Sequence, residues 1–274
     1  MKSSPPSSPP LPAGPLPGPG VRAVPPWQPL EWLRRGARDL LRCPLPGLLH
    51  GLAAAGFGAL LMWIAHDRFW LLAGAFSGFL LVAPIVATGL YAVSQRLERG
   101  PLAGAEGVRV ALDAWRPRDG RLVRFGLLLA LAGTGWVLTS AALITRYAPA
   151  PVDSPADFLR VVVAGGDSWL FEGWLLLGSL LAAPIFASTV TAIPMLLERR
   201  TALLEAVLTS VRATLLNPLP MALWATLLLM LTLAGMALAL LGLIVVVPWL
   251  GHASWHAYRD LLEPEAAAPP ARSA

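Results

Sequence analysis

The chain has one lysine, Lys2, one cysteine, Cys43, and three tyrosines in 274 residues. A single cysteine excludes an intramolecular disulfide and any CxxC metal or redox motif. Charge is scarce as well. Only 14% of the residues are charged while 56% are hydrophobic, whereas soluble domains carry about a quarter charged residues. An ordinary soluble globule is therefore excluded, and the mean hydropathy of +0.63 agrees. No Gly-rich phosphate loop, nucleophile elbow, paired carboxylates or HExxH sequence is present, so no catalytic set is expected. The net charge of +5 is carried almost wholly by arginine. These arginines lie between apolar blocks, where orientation in a bilayer accounts for them without nucleic acid.

What is abundant is proline at the start and long apolar runs after it. Residues 1–29 hold 11 prolines and no apolar stretch long enough for a secretory signal. They read as a disordered, solvated tail. Leu11–Pro17 could dock in an aromatic groove, but a featureless spacer is the better reading, since composition alone supports docking. Apolar runs follow at about 46–65, 69–94, 122–145 and 170–196, and then one of nearly forty residues from Leu219 to about Tyr258. A span needs about 20 residues, so the last run predicts two helices bent between Gly235 and Gly242. The fold class expected is an all-α membrane protein of six transmembrane helices. Residues 30–262 form the membrane domain, and 263–274 form a second disordered tail.

Six spans put both termini on one side. That side receives all 21 basic residues except Arg68, Arg146 and Arg160, which places both ends in the cytoplasm. Anionic headgroups are the expected partner, with a further membrane protein as a second one.

Internal repetition refines the picture. Gly78–Arg99 and Gly178–Arg199 align at a shift of one hundred. Gly78, Leu80, Leu81, Ala83, Pro84, Ile85, Ala87, Ala92, Leu97, Glu98 and Arg99 all recur at their shifted positions. Glu31–Pro46 matches Glu205–Pro220 through the glutamates and Arg38/Arg212, Leu41/Leu215, Pro44/Pro218, Leu45/Leu219 and Pro46/Pro220. The spans are thus expected as three helical-hairpin pseudo-repeats, about 30–100, 101–200 and 201–262. Each is preceded by a short amphipathic interfacial helix, and the middle copy carries an outer insertion near 148–168. In the first entry helix Leu30, Leu33, Ala37, Leu40 and Leu41 share a face, with Arg34, Arg35, Arg38 and Arg42 off it as lipid-facing basic residues. Leu204, Val207, Leu208, Val211 and Leu215 repeat the stripe in the third copy. Trp27, Trp32, Trp249, Trp255 and Tyr258 read as interfacial anchors. Pro84, Pro184 and Pro248 each remove one hydrogen bond inside a span and are expected as helix kinks. A broken helix lining a substrate path is the competing reading. Glycines such as Gly51 and Gly56 suggest close helix approach.

The one constellation resembling a ligand set is His252 and His256, four apart on one helix face, with His50 as a third metal or haem ligand. The aromatic belt around them offers the simpler reading of headgroup hydrogen bonding, and no cofactor is required elsewhere. Finally, Trp32-Leu33, Gly36, Asp39-Leu40 and Pro44 form one set of markers. Gly78–Pro84, Tyr91, Leu97-Glu98-Arg99-Gly100, Asn217-Pro218 and the closing Gly251-His252…Trp255-His256…Tyr258-Arg259-Asp260 complete it. Together they resemble a bacterial family of predicted six-span integral membrane proteins of unknown function, over about 28–262. Some members are labelled putative cytochrome c oxidase subunits. That activity would need six haem and copper histidines, and this chain has four histidines in all, so the resemblance implies topology and not oxidase chemistry. A non-enzymatic scaffold or accessory subunit is the function expected. A redox or metal accessory protein is the alternative, and a transporter of an apolar or amphiphilic solute is a third.

Overall fold

The computed structural model describes residues 19–64, 87–116, 120–165 and 169–264. Within them the chain is helical, with α1 (Gln28–Arg42), α2 (Pro44–Ile64), α3 (Thr88–Leu97), α4 (Gly104–Ala114) and α5 (Arg121–Tyr147). After a wide turn at Phe158–Val163 come α6 (Leu170–Thr189), α7 (Ala192–Glu198), α8 (Leu203–Leu216), α9 (Pro218–Ala237) and α10 (Leu243–Leu261). No strand occurs among the described residues; the one extended pairing is Val21 against Leu262.

Among the described residues four helical stretches are long and apolar enough to cross a membrane: Pro44–Trp63, Arg121–Tyr147, Leu170–Glu198 and Pro218–Ala237. Of the other two expected spans, 69–94 lies mostly outside the described residues, Pro84 with it. The sixth corresponds to α10, whose C-terminal half is enclosed by protein. Buried positions occur on nearly every side of that half, from Leu250 to Leu261, and α1, α2, α3 and α9 all pack on it. Helices α6 and α10 continue through Pro184 and Pro248.

Proline sets the joints. Helix α1 ends at Cys43 and α2 starts at once with Pro44, because a residue before proline is pushed out of helical geometry. Cys43 sits at φ −140°, ψ 73° and Asn217, the residue before Pro218, at φ −127°, ψ 54°. Close packing then depends on missing side chains. A Cβ on Gly36 would stand 2.6 Å from the Ala253 nitrogen, and one on Gly51 would stand 2.1 Å from the Ile244 carbonyl oxygen. These two glycines let α1 and α2 lie directly on α10. At Gly56, by contrast, nothing lies within 4 Å.

The bend expected between Gly235 and Gly242 is present, and α9 turns into α10 over five residues. Ala239 and Leu240 carry it with φ of 51° and 66°. A left-handed backbone crowds a Cβ, so Ala239→Gly should raise stability by up to about 1 kcal/mol, net of the flexibility that glycine adds to the unfolded chain. A thermal melt in detergent reads this as an upward shift. Leu240 is no equivalent site, since its side chain is buried beside Ala55 and Leu243.

Residues 20–24 are held by backbone hydrogen bonds. Arg22 N donates to Leu261 O at 2.8 Å, Val24 N donates to the Asn217 side chain at 2.9 Å, and Glu263 N donates to Gly20 O at 2.9 Å. Residues 20–24 therefore clasp the end of α10 and the α8–α9 joint. Residues 20–29 are ordered where the sequence predicts a disordered stretch, because these backbone groups find partners.

Candidate functional site: a buried polar hub around α10

The closing segment Gly251–Asp260 forms the last three turns of α10. His252 and His256 share a face, as their spacing predicts, and that face meets α1 and α3. Ser94 Oγ donates to Asp39 Oδ2 at 2.8 Å, and His256 Nε2 donates to the same oxygen at 2.8 Å. The Ser94 proton is thereby used, so its oxygen accepts from His252 Nδ1 at 2.8 Å. Asp39, Ser94, His252 and His256 are all buried. Nothing here is exposed enough for a headgroup to reach.

This bonding fixes the tautomers. His252 carries its proton on Nδ1, leaving Nε2 with a lone pair. His50 Nδ1 donates to the Pro46 carbonyl at 2.7 Å, which only accepts, so its Nε2 is bare too. Both Nε2 atoms are buried and lack a partner among the described residues. The expected trio therefore divides. His256 spends its Nε2 on Asp39, while His50 and His252 keep theirs. Among the described residues no group of three or more His, Cys, Asp or Glu side chains comes together to hold a metal ion.

A second layer binds the far face of α10. Trp255 Nε1 donates to Glu98 Oε1 at 2.9 Å, and Tyr258 OH donates to Glu198. The Arg259 guanidinium lies 3.4 Å from Glu98 and 3.3 Å from Glu198. These glutamates occupy matching places in the repeated Leu-Glu-Arg. Arg199, itself buried, donates to Tyr258 OH at 3.0 Å and to the Glu263 carbonyl at 2.6 Å. On the α1 side Asp260 accepts from Gln28 at 2.7 Å, from Trp32 Nε1 at 2.9 Å and from Arg35.

Several expected roles change as a result. Trp32, Trp255 and Tyr258 are fully buried, so they are core residues and not interfacial anchors. Trp32 meets Trp224 edge to face at 5.6 Å. Trp249 is half-buried and donates to Leu33 O at 2.7 Å; Trp27 is 66% exposed. Arg35 turns inward to Asp260 and leaves the lipid-facing set, and Arg34 pairs with Glu31 at 2.6 Å. Arg38 and Arg42 remain exposed. The correction has one cause. The stripe Trp32, Gly36, Asp39 is taken up by α10 where lipid was expected.

Sequence reasoning gave no site role to Asp39, Ser94, Glu98, Glu198 or Asp260. Asp39 had a legible signal: it is the one acid on the apolar side of α1, where an unpaired carboxylate would be costly. Burial alone would raise its carboxyl. Hydrogen bonds and charge from His256, with Ser94 and His252 behind them, hold it below the ordinary range. Asp260 behaves alike, its burial outweighed by Arg35, Gln28 and Trp32. A carboxylate depressed on folding stabilises fully above its unfolded value, about 4, and loses that contribution as pH falls through the folded value. The contribution of these two carboxylates should thus be constant from about pH 7 to 5 and be lost below about 4. Asp260→Asn should flatten that acid limb in melts taken across pH.

With this geometry in place, the comparisons add one finding. A family model described as "Predicted integral membrane protein (DUF2189)" matches residues 71–198. The chain is an integral membrane protein. The matched stretch is similar to a family of unknown function and covers under half of the chain. It includes the first Leu-Glu-Arg segment, ends at Glu198 within the second, and stops before α8, α9 and α10. No curated protein and no solved structure matches.

Proposed function

We propose that this chain is a non-enzymatic scaffold or accessory subunit of the bacterial inner membrane. In this reading it crosses the bilayer six times as three hairpin repeats, with both termini in the cytoplasm. The like backbone at Cys43 and Asn217 supports the repeat. So do the matching extended residues Ala103 and Ala202 that open α4 and α8. The excess of arginine on one set of connections supports the orientation.

One observation carries the functional part. Trp255, His256, Tyr258, Arg259 and Asp260 all spend polar groups on helices of the first two repeats. A segment built to handle a substrate keeps such groups facing a cleft. Here they tie the chain to itself, which is what a rigid platform for a membrane partner requires. Purified protein should give a featureless visible spectrum and substoichiometric metal. A reporter fused in the 97–121 connection should read cytoplasmic.

A second reading has its own observation. His50 and His252 each hold a bare Nε2 whose ring is oriented by a hydrogen bond at Nδ1, the arrangement in which proteins prepare imidazole for a metal. One metal or one Soret band per chain, lost in His252→Ala and kept in His256→Ala, would decide for it and against the scaffold.

A further inference from the structure

Two exposed arginines, Arg38 and Arg212, are related by the repeat. Arg34 and Arg35 are held by Glu31 and Asp260, and Arg199 and Arg259 by the hub. Arg38 on α1 and Arg212 on α8 are exposed, and neither forms a hydrogen bond or ion pair among the described residues. Each stands at the foot of an apolar stripe. Above Arg38 come Leu41, 81% exposed, then exposed Leu45 and Leu49; above Arg212 come Leu215, 73% exposed, then exposed Leu219. The stripe passes each time from an entry helix onto a span, across the same backbone break at Cys43 or Asn217.

Helix α8 also tells what medium lies outside it. Its buried face is Ala206, Thr209, Ser210 and Ala213, while Leu204, Leu208 and Leu215 point outward. Small and polar inside with leucine outside inverts the soluble pattern and suits hydrocarbon. A guanidinium is a planar fork that matches phosphate oxygens, and an exposed one beside hydrocarbon sits at headgroup depth. From these observations we infer that Arg38 and Arg212 are two equivalent sites for anionic phospholipid, the phosphate on the guanidinium and one acyl chain along the leucines above it. This rests on the reading that both entry helices face the cytoplasmic leaflet, and it adds which residues hold lipid, and how many.

The test uses the full chain in nanodiscs of mixed phosphatidylglycerol and phosphatidylcholine, with retained lipid counted by native mass spectrometry. Two phosphatidylglycerol molecules are expected per chain. Arg38→Gln and Arg212→Gln should each remove one and the double variant both, while Arg109→Gln, exposed on α4, should leave two. Equal retention of phosphatidylcholine, a count indifferent to Arg38 and Arg212, or loss with one variant alone overturns the inference. Failure of the underlying topology is read separately, since a periplasmic signal from the 97–121 reporter would appear whatever the lipid count.

Discussion

Asp39→Ala is expected to be among the most damaging single substitutions in the described chain. It removes the oxygen on which Ser94 and His256 converge and leaves their donors buried without an acceptor. Each buried donor left without an acceptor costs roughly 1–3 kcal/mol, so losing the acceptor for both should cost roughly 2–6 kcal/mol. The loss should show as a much lower thermal midpoint in detergent, or as aggregation on size exclusion. Asp39→Asn keeps one acceptor oxygen for Ser94, so roughly half the effect is expected, about 1–3 kcal/mol. Equal loss in both would mean that the charge, more than the acceptor, is what the hub needs. No loss in either would mean that the cluster does not hold α1 to α10 at all.

Gly51→Ala should come next, for a steric reason. The added Cβ would lie 2.1 Å from the Ile244 carbonyl oxygen and 2.6 Å from the Ile244 Cα. Those are backbone atoms, so no side-chain rotation relieves the contact, and α2 must move away from α10. Overpacking of this kind costs about 1–3 kcal/mol, and a helix-to-helix backbone contact belongs at the upper end. The internal control is Gly56→Ala, one turn and a half further along α2, where the new Cβ meets nothing within 4 Å. There the better helix propensity of alanine should stabilise by about 1 kcal/mol. Opposite signs at two glycines of one helix would tie the effect at Gly51 to contact with α10. Like signs would refute that contact.

Both expectations concern α10, and α10 is where the sequence was least explicit. Its closing segment looked like an interfacial belt because aromatic residues and histidines at the end of an apolar run have that appearance in any membrane helix. Trp32 looked like an anchor for the same reason. The periodicity of α1 gives the angle at which Trp32, Gly36 and Asp39 lie together. It carries no information on whether lipid or another helix lies at that angle. Arg35 shows the point most plainly. It shares α1 with Arg34, Arg38 and Arg42, yet only Arg35 stands within reach of Asp260.

Other features were legible because their causes are local. Proline ends α1 and α8 wherever the rest of the chain lies, since its ring clashes with the residue before it. The glycine pair 235 and 242 bounds the α9–α10 turn because only small residues allow two helices to reverse so tightly. The repeated Leu-Glu-Arg was visible as a repeat, but the meeting of Glu98 and Glu198 on one arginine was not. By itself the sequence determined the all-helical, apolar character of the chain and the joints at Cys43 and Asn217, which follow from the apolar runs and from backbone sterics. Which polar groups meet, which tryptophans are buried and which arginines stay exposed was decided by tertiary packing, because those outcomes depend on neighbours more than two hundred residues away, as Asp39 and His256 are.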